Sequence, residues 1–280
     1  MVITDRFVFI HVPKTGGTFV THALERLHGV APAAGPAGRA VRIRRLLERI
    51  IGRGRRYGKL SNIEPKHGTC DDIPAEHRGK RILSVVRNPY DWYVSQYEFG
   101  WWKRTFEYHP EPNPTPAGSA IEQVLPAFED DHPHFPEISF EEFLDLCDRA
   151  AAVLDEASAD PGSGLYTHGF LRYFGAVAHP VVSAESGGTV TSDGARGYDA
   201  HFMRTDRLNE DLPAFLLSMG YRPEDVTFIR ALGRILPMGR GRTANQHWER
   251  YYSPAMKASI RARDARLFEL FPDFDDTPPG

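Results

Sequence analysis

The stretch His11-Val-Pro13-Lys14-Thr15-Gly16-Gly17-Thr18 has the makings of an anion cradle. A short apolar run, Phe7-Val-Phe-Ile-His-Val12, delivers two adjacent glycines to a segment with helical patterning. Backbone N–H groups at a helix start have no intrahelical acceptor, and the helix dipole adds positive charge there. Gly16 and Gly17 let that backbone approach a phosphate with no Cβ in the way. The spacing differs from the nucleotide-triphosphate loop G-x-x-x-x-G-K-[ST]. With the second glycine of that pattern set on Gly16, Gly17 stands where the lysine belongs and His11 where the first glycine belongs. The lysine is instead inside the loop, at Lys14, where it reaches the far side of one phosphate rather than a β/γ pair with magnesium. Such a loop suits one phosphate and a cation for a leaving group. The plainer alternative is an ordinary strand–turn–helix junction.

A second set of donors follows the apolar run Arg81-Ile-Leu-Ser-Val-Val86. Arg87 ends that run, and Asn88, Pro89 and Asp91 read as cap, first residue and dipole partner of a helix. Ser95 then falls about two turns in, roughly 9 Å along the axis. A guanidinium and a hydroxyl so placed suit a second, separate phosphate, each charge-assisted bond contributing ~1.5–3 kcal/mol. The alternative is that Arg87 pairs with a surface carboxylate. In open parallel sheets ligands sit outside the carboxyl ends of the strands, which is where both sets belong if the two runs are parallel strands.

Other residues have less to say. His132 and His134 alternate in a proline-rich stretch without a third ligand nearby in sequence, so no metal site is expected. Tyr93, Tyr97, Phe99, Trp101 and Trp102 suit either the wall of an acceptor cleft or a helix packed on the core. The segment from Arg39 to Lys59 carries nine Arg and Lys against a lone Glu48. It reads as the solvated face of an amphipathic helix, or as a peripheral contact for an anionic acceptor or membrane surface.

The elements that must position these residues are only partly periodic. Phe19, Val20, Ala23, Leu24 and Leu27 recur at helical spacing before Gly29, so strand, glycine loop and helix open an α/β fold. Residues 103–137 are rich in Pro and His without periodicity and read as a long surface insertion. A helix is expected over Phe140–Leu154, a loop or exposed hairpin over 183–199, a strand over His201–Thr205 and a helix over about 209–219, ending at Gly220. Ser253-Pro254 caps a last helix, with Met256, Ile260, Leu267 and Phe271 on one face.

The 280 residues are 41% hydrophobic and 25% charged, with a formal net charge of −3. That composition supports a sizeable core and offers no global basic field for nucleic acid. Cys70 and Cys147 are too few and too far apart for a disulfide framework or zinc site. No targeting segment and no membrane span is evident, so a cytoplasmic protein is expected.

Taken together, Pro13-Lys14-Thr15-Gly16-Gly17-Thr18 and Arg87-Asn88-Pro89-Tyr90-Asp91 with Ser95 and Tyr97 resemble the family of sulfotransferases that use 3′-phosphoadenosine 5′-phosphosulfate (PAPS). The likeness is to the carbohydrate 2-O- and chondroitin/dermatan-type branch and its bacterial relatives. Lys66-His67-Gly-Thr, Phe202–Leu208 and Tyr251-Tyr-Ser-Pro254 extend it over residues 7 to about 271. The first two motifs are specific together, and the others are weak singly. The resemblance implies a P-loop-like three-layer fold, a central mostly parallel sheet flanked by helices, as one domain over 1–280 with insertions at 30–60, 103–137 and 183–199. It implies that Pro13 to Thr18 hold the 5′-phosphosulfate and that Arg87 and Ser95 hold the 3′-phosphate. Lys14 then neutralises charge on the bridging oxygen, His67 is the candidate general base with His11, His109, His132 and His134 as rivals, and no metal is required. Arg242 and Asn245 are candidates to close over the nucleotide. The acceptor is a small molecule, carbohydrate or glycolipid. Trp92 and Tyr93 depart from the family's usual residues after Asn-Pro, and the 103–137 and 183–199 insertions match no part of it. The other readings are a P-loop nucleotide kinase and a non-catalytic anion-binding protein.

Overall fold

The computed structural model describes residues 1–30, 57–63, 65–103, 116–156, 162–174, 181–182, 190–191, 200–233, 235 and 246–275. In chain order the elements begin with β1 (Val2–Thr4), β2 (Phe7–Phe9), α1 (Gly17–Leu27), β3 (Leu60–Asn62) and β4 (Arg81–Val86). There follow α2 (Pro89–Phe99), α3 (Pro116–Asp131), α4 (Phe140–Asp155) and α5 (Leu165–Leu171). The last are β5 (Val181–Val182), β6 (Val190–Thr191), β7 (Ala200–Arg204), α6 (Leu208–Ser218), α7 (Pro254–Arg263) and α8 (Ala265–Leu270). Most of the described residues fall into two compact units, one holding 1–86 and 200–235, the other 87–174 and 246–275.

The first unit is built on a five-stranded sheet of order β3-β1-β2-β4-β7. β2 pairs parallel with β4, and β4 with β7, while β1 is antiparallel to both of its neighbours. Four of the five strands therefore run the same way, in the P-loop-like α/β arrangement with a mostly parallel central sheet flanked by helices that the sequence implies. The carboxyl ends of β2, β4 and β7 share one edge, with Phe9 opposite Leu83 and Val86 opposite Arg204. Alternate residues Phe7, Phe9, Leu83, Val85 and Met203 meet Val20, Ala23 and Leu24 of α1 and Leu212, Phe215 and Leu216 of α6. Strand period two thus meets helix period 3.6 over one buried face. Phe7 and Phe215 lie edge to face at 5.1 Å, and full burial of side chains of this size stabilises by ~1.5–3 kcal/mol each.

The second unit is helical and is organised around Asp264, which is fully buried. Its Oδ1 accepts from the Thr167 N–H (2.9 Å) and hydroxyl (2.5 Å), and its Oδ2 accepts from the Tyr93 hydroxyl (2.9 Å). α2, α5 and the α7–α8 junction are tied together by one carboxylate. A Cβ on Gly164 would lie 2.6 Å from Asp264 Oδ1, so the start of α5 must be bare to come this close. The single last helix expected from Met256, Ile260, Leu267 and Phe271 is in fact two, because Asp264 leaves helical geometry to face inward. The reading of 103–137 as aperiodic also needs correction. α3 occupies 116–131, and Ala120, Ile121, Leu125 and Phe128 are buried where it packs on α4. Val181–Val182 and Val190–Thr191 form a two-stranded sheet, and the rest of 183–199 lies outside the described residues.

Tyr93→Phe should leave the fully buried Asp264 carboxylate one donor short, a loss of about 1–3 kcal/mol. A clear drop in Tm by calorimetry is the expected result; an unchanged Tm would refute the role given to Asp264.

Candidate functional site

The glycine loop begins where β2 ends. Ile10 keeps the sheet register one residue further, its N–H donating to the Leu83 carbonyl (2.9 Å) while its own carbonyl accepts from Ser84 Oγ (2.9 Å). The backbone then takes left-handed geometry twice, at Lys14 (φ 64°) and at Gly16 (φ 98°), the N-cap of α1. For a residue with a side chain such as Lys14 this conformation costs roughly 1–2 kcal/mol, which the surrounding contacts must offset. The two glycines are also required by crowding. A Cβ on Gly17 would fall 2.0 Å from the His11 ring, and one on Gly16 would fall 2.6 Å from Leu208 of α6.

Two threonine hydroxyls fix the loop. The fully buried Thr15 donates its hydroxyl to the Val12 carbonyl at 2.9 Å, which closes the turn on itself. Thr205, just past β7, places Oγ1 2.7 Å from the Thr15 carbonyl and 3.1 Å from the Val86 carbonyl at the end of β4. One hydroxyl thus joins the loop, β4 and β7 at their shared edge.

His67 belongs to the same site. Its Nδ1 lies 2.9 Å from the His11 carbonyl, which can only accept, so Nδ1 carries a proton. The ring is exposed and meets His11 edge to face at 4.7 Å. His11 itself is buried, and its pKa falls to about 3, first through desolvation and then through the nearby charges of His67 and Lys66. The His11 ring is thus packed into the interior, whereas the His67 ring beside it is exposed.

The second donor set lies in the helical unit. Asn88 caps α2 by accepting from the Tyr90 N–H at 3.0 Å, with Pro89 first and Asp91 in the first turn, as the sequence indicates. Arg87 is held at its backbone by the Tyr166 hydroxyl, which accepts from its N–H (3.0 Å) and lies 3.2 Å from its carbonyl. Its Nε donates to Asp91 Oδ2 at 2.6 Å, so the carboxylate partner weighed for it exists and is its own helix neighbour. Ser95 is buried to 8% exposure further along α2.

The aromatic group divides. Tyr93 is a core residue bonded to Asp264, and Trp92 stacks flat on Tyr166 at 4.4 Å. Trp102 is buried and donates to the Pro136 carbonyl. Around the end of α2, Tyr97, Glu98, Phe99, Gly100, Trp102 and Lys103 line an open cleft of about 370 Å³. His109, Arg242, Asn245 and the basic segment up to Arg56 lie outside the described residues. Sequence reasoning missed Thr205 and Tyr166; the only signal for Thr205 was its place at a strand end.

The arrangement is that of an α/β protein in which a histidine ring is fixed to a glycine loop at the carboxyl edge of the parallel strands. No family model matches the chain, and no curated protein matches it. Among solved structures it is similar to the mouse sulfotransferase SULT7A1 complexed with PAP, with 13% identity and a TM-score of 0.44 over 97% of this chain and 86% of that one. Among the described residues no helix is long and apolar enough to cross a membrane.

The His11 ring predicts a pH dependence. Above its unfolded pKa of about 6.5 it is neutral in both states; below that the unfolded chain takes up a proton that the buried ring refuses until about pH 3. Stability is therefore lost as pH falls through this window. In His11→Asn the fall of Tm between pH 7 and 4 should be shallower than in the parent, and an equally steep fall would contradict the assignment.

Proposed function

We propose that the chain is a PAPS-dependent sulfotransferase that transfers a sulfuryl group to a hydroxyl of a carbohydrate or glycolipid acceptor by in-line displacement. The observation that carries this reading is the loop itself: Lys14 held in left-handed geometry ahead of a helix N-terminus, with the His67 ring fixed beside it through Nδ1. The backbone N–H groups from Thr15 to Thr18 and the Thr18 hydroxyl hold the 5′-phosphate, and Pro13 fixes the entry to the loop. Arg87, oriented by Asp91 and Tyr166, and Ser95 hold the 3′-phosphate.

As the acceptor oxygen bonds to sulfur, the bond from sulfur to the bridging oxygen breaks. Its electron pair stays on the bridging oxygen, where Lys14 neutralises it, and the acceptor proton passes to His67 Nε2. General-base catalysis contributes roughly 10²–10⁴-fold, so losing His67 cripples turnover without abolishing it. The aromatic and charged lining of the cleft at the end of α2 supports a polyhydroxylated acceptor. Both cysteines are buried free thiols, in keeping with a cytoplasmic location.

Adenosine 3′,5′-bisphosphate without metal should raise Tm by several degrees, and its 3′-dephosphorylated analogue by much less. A response confined to ATP with magnesium would replace this reading with that of a kinase. Lys14→Ala should lower turnover of labelled PAPS roughly 10²–10³-fold while largely keeping bisphosphate binding; near-parental turnover would remove Lys14 from the leaving-group role.

A further inference from the structure

The turn after α3 brings together side chains that sulfuryl transfer does not use. His132 closes the apolar stripe of α3, its ring 4.2 Å from that of the buried Phe128. Hydrogen bonds from the Phe135 N–H to the His132 carbonyl (2.9 Å) and from the Glu137 N–H to the His134 carbonyl (3.0 Å) fold 132–137 tightly. Both imidazoles are thereby turned toward the start of α4. There Glu142 Oε1 lies 3.2 Å from His132 Nδ1 and 3.1 Å from His134 Nε2. The third ligand absent from the local sequence is supplied by the neighbouring helix.

We propose that His132, His134 and Glu142 form a binding site for a divalent transition metal such as zinc. One nitrogen from each ring and one carboxylate oxygen lie within 4.8 Å of one another. The two imidazole-to-carboxylate separations match the edge of a tetrahedron with ~2.0–2.1 Å bonds, which is about 3.3 Å. Imidazole and carboxylate donors suit zinc and its neighbours rather than calcium or magnesium. Three protein donors leave one position for water.

The surroundings are those of a supported ligand set. Glu142 Oε2 accepts from the Ser139 N–H at 2.7 Å, which orients the carboxylate and leaves Oε1 facing the rings. The other nitrogen of His132 faces Asp145 Oδ2 at 3.6 Å, and Asp145 is itself held by Arg149, which also reaches Asp131. A carboxylate behind a ligating histidine fixes its tautomer and raises its basicity. The negative end of α3 favours a cation here and the positive end of α4 opposes it, while the carboxylates at 131, 142 and 145 tip the balance toward a cation. A bound ion ties the 132–137 turn to α4, independently of the glycine loop.

The test uses the untagged full chain, stripped with a chelator and titrated with zinc chloride against a chromophoric competitor. One zinc per chain is expected. Glu142→Gln, which preserves the helix cap, and His134→Ala, whose ring is 54% exposed, should each weaken binding by roughly 100-fold. Parental far-UV circular dichroism of both variants in chelator separates ligand loss from misfolding. Absence of stoichiometric zinc in the parent, or undiminished affinity in either correctly folded variant, overturns the assignment.

Discussion

The imidazole of His11 fills the volume that a side chain on Gly17 would need, and much of the loop follows from that exclusion. With Gly17 bare, α1 can start immediately after the turn, and its first N–H groups stay close to the strand end. The same residue turns its carbonyl to His67 and so holds that ring through Nδ1. Steric packing at one atom and hydrogen-bond polarity at another, both on His11, thus set the shape of the glycine loop and the orientation of the ring beside it. The cost is a buried ring that must stay neutral.

Elsewhere the device is a hydroxyl aimed at backbone. Thr205 reaches carbonyls of the loop and of β4, and Tyr166 holds the peptide of Arg87. Neither is charged at neutral pH. Each fixes main chain beside a side chain that the proposed function uses, Lys14 in one case and Arg87 in the other.

What the sequence disclosed depends on how local each signal is. The strand–loop–helix over 7–27, the Asn88-Pro89 start and the Ser253 cap were legible because cap, turn and periodicity lie within a few residues of one another. α3 was not, because Pro126 and the prolines before it obscure the stripe Ile121, Leu125, Phe128. The strands Val2–Thr4 and Leu60–Asn62 are three residues each, too short to show alternation. Thr205 was invisible because its partners stand 190 and 119 residues away, and Trp92 and Tyr93 looked anomalous because Tyr166 and Asp264 cannot be anticipated from position. The histidines at 132 and 134 lacked a third ligand until α4 brought Glu142 across.

The bare Gly164 against Asp264 has a consequence for how the chain can change over time. Any larger residue at 164 collides with the carboxylate, and any smaller residue at 264 strands the donors of Tyr93 and Thr167. Substitutions at these four positions are strongly non-additive. They drift as a block or not at all, so diverged copies of this fold should differ here by wholesale replacement rather than by single steps.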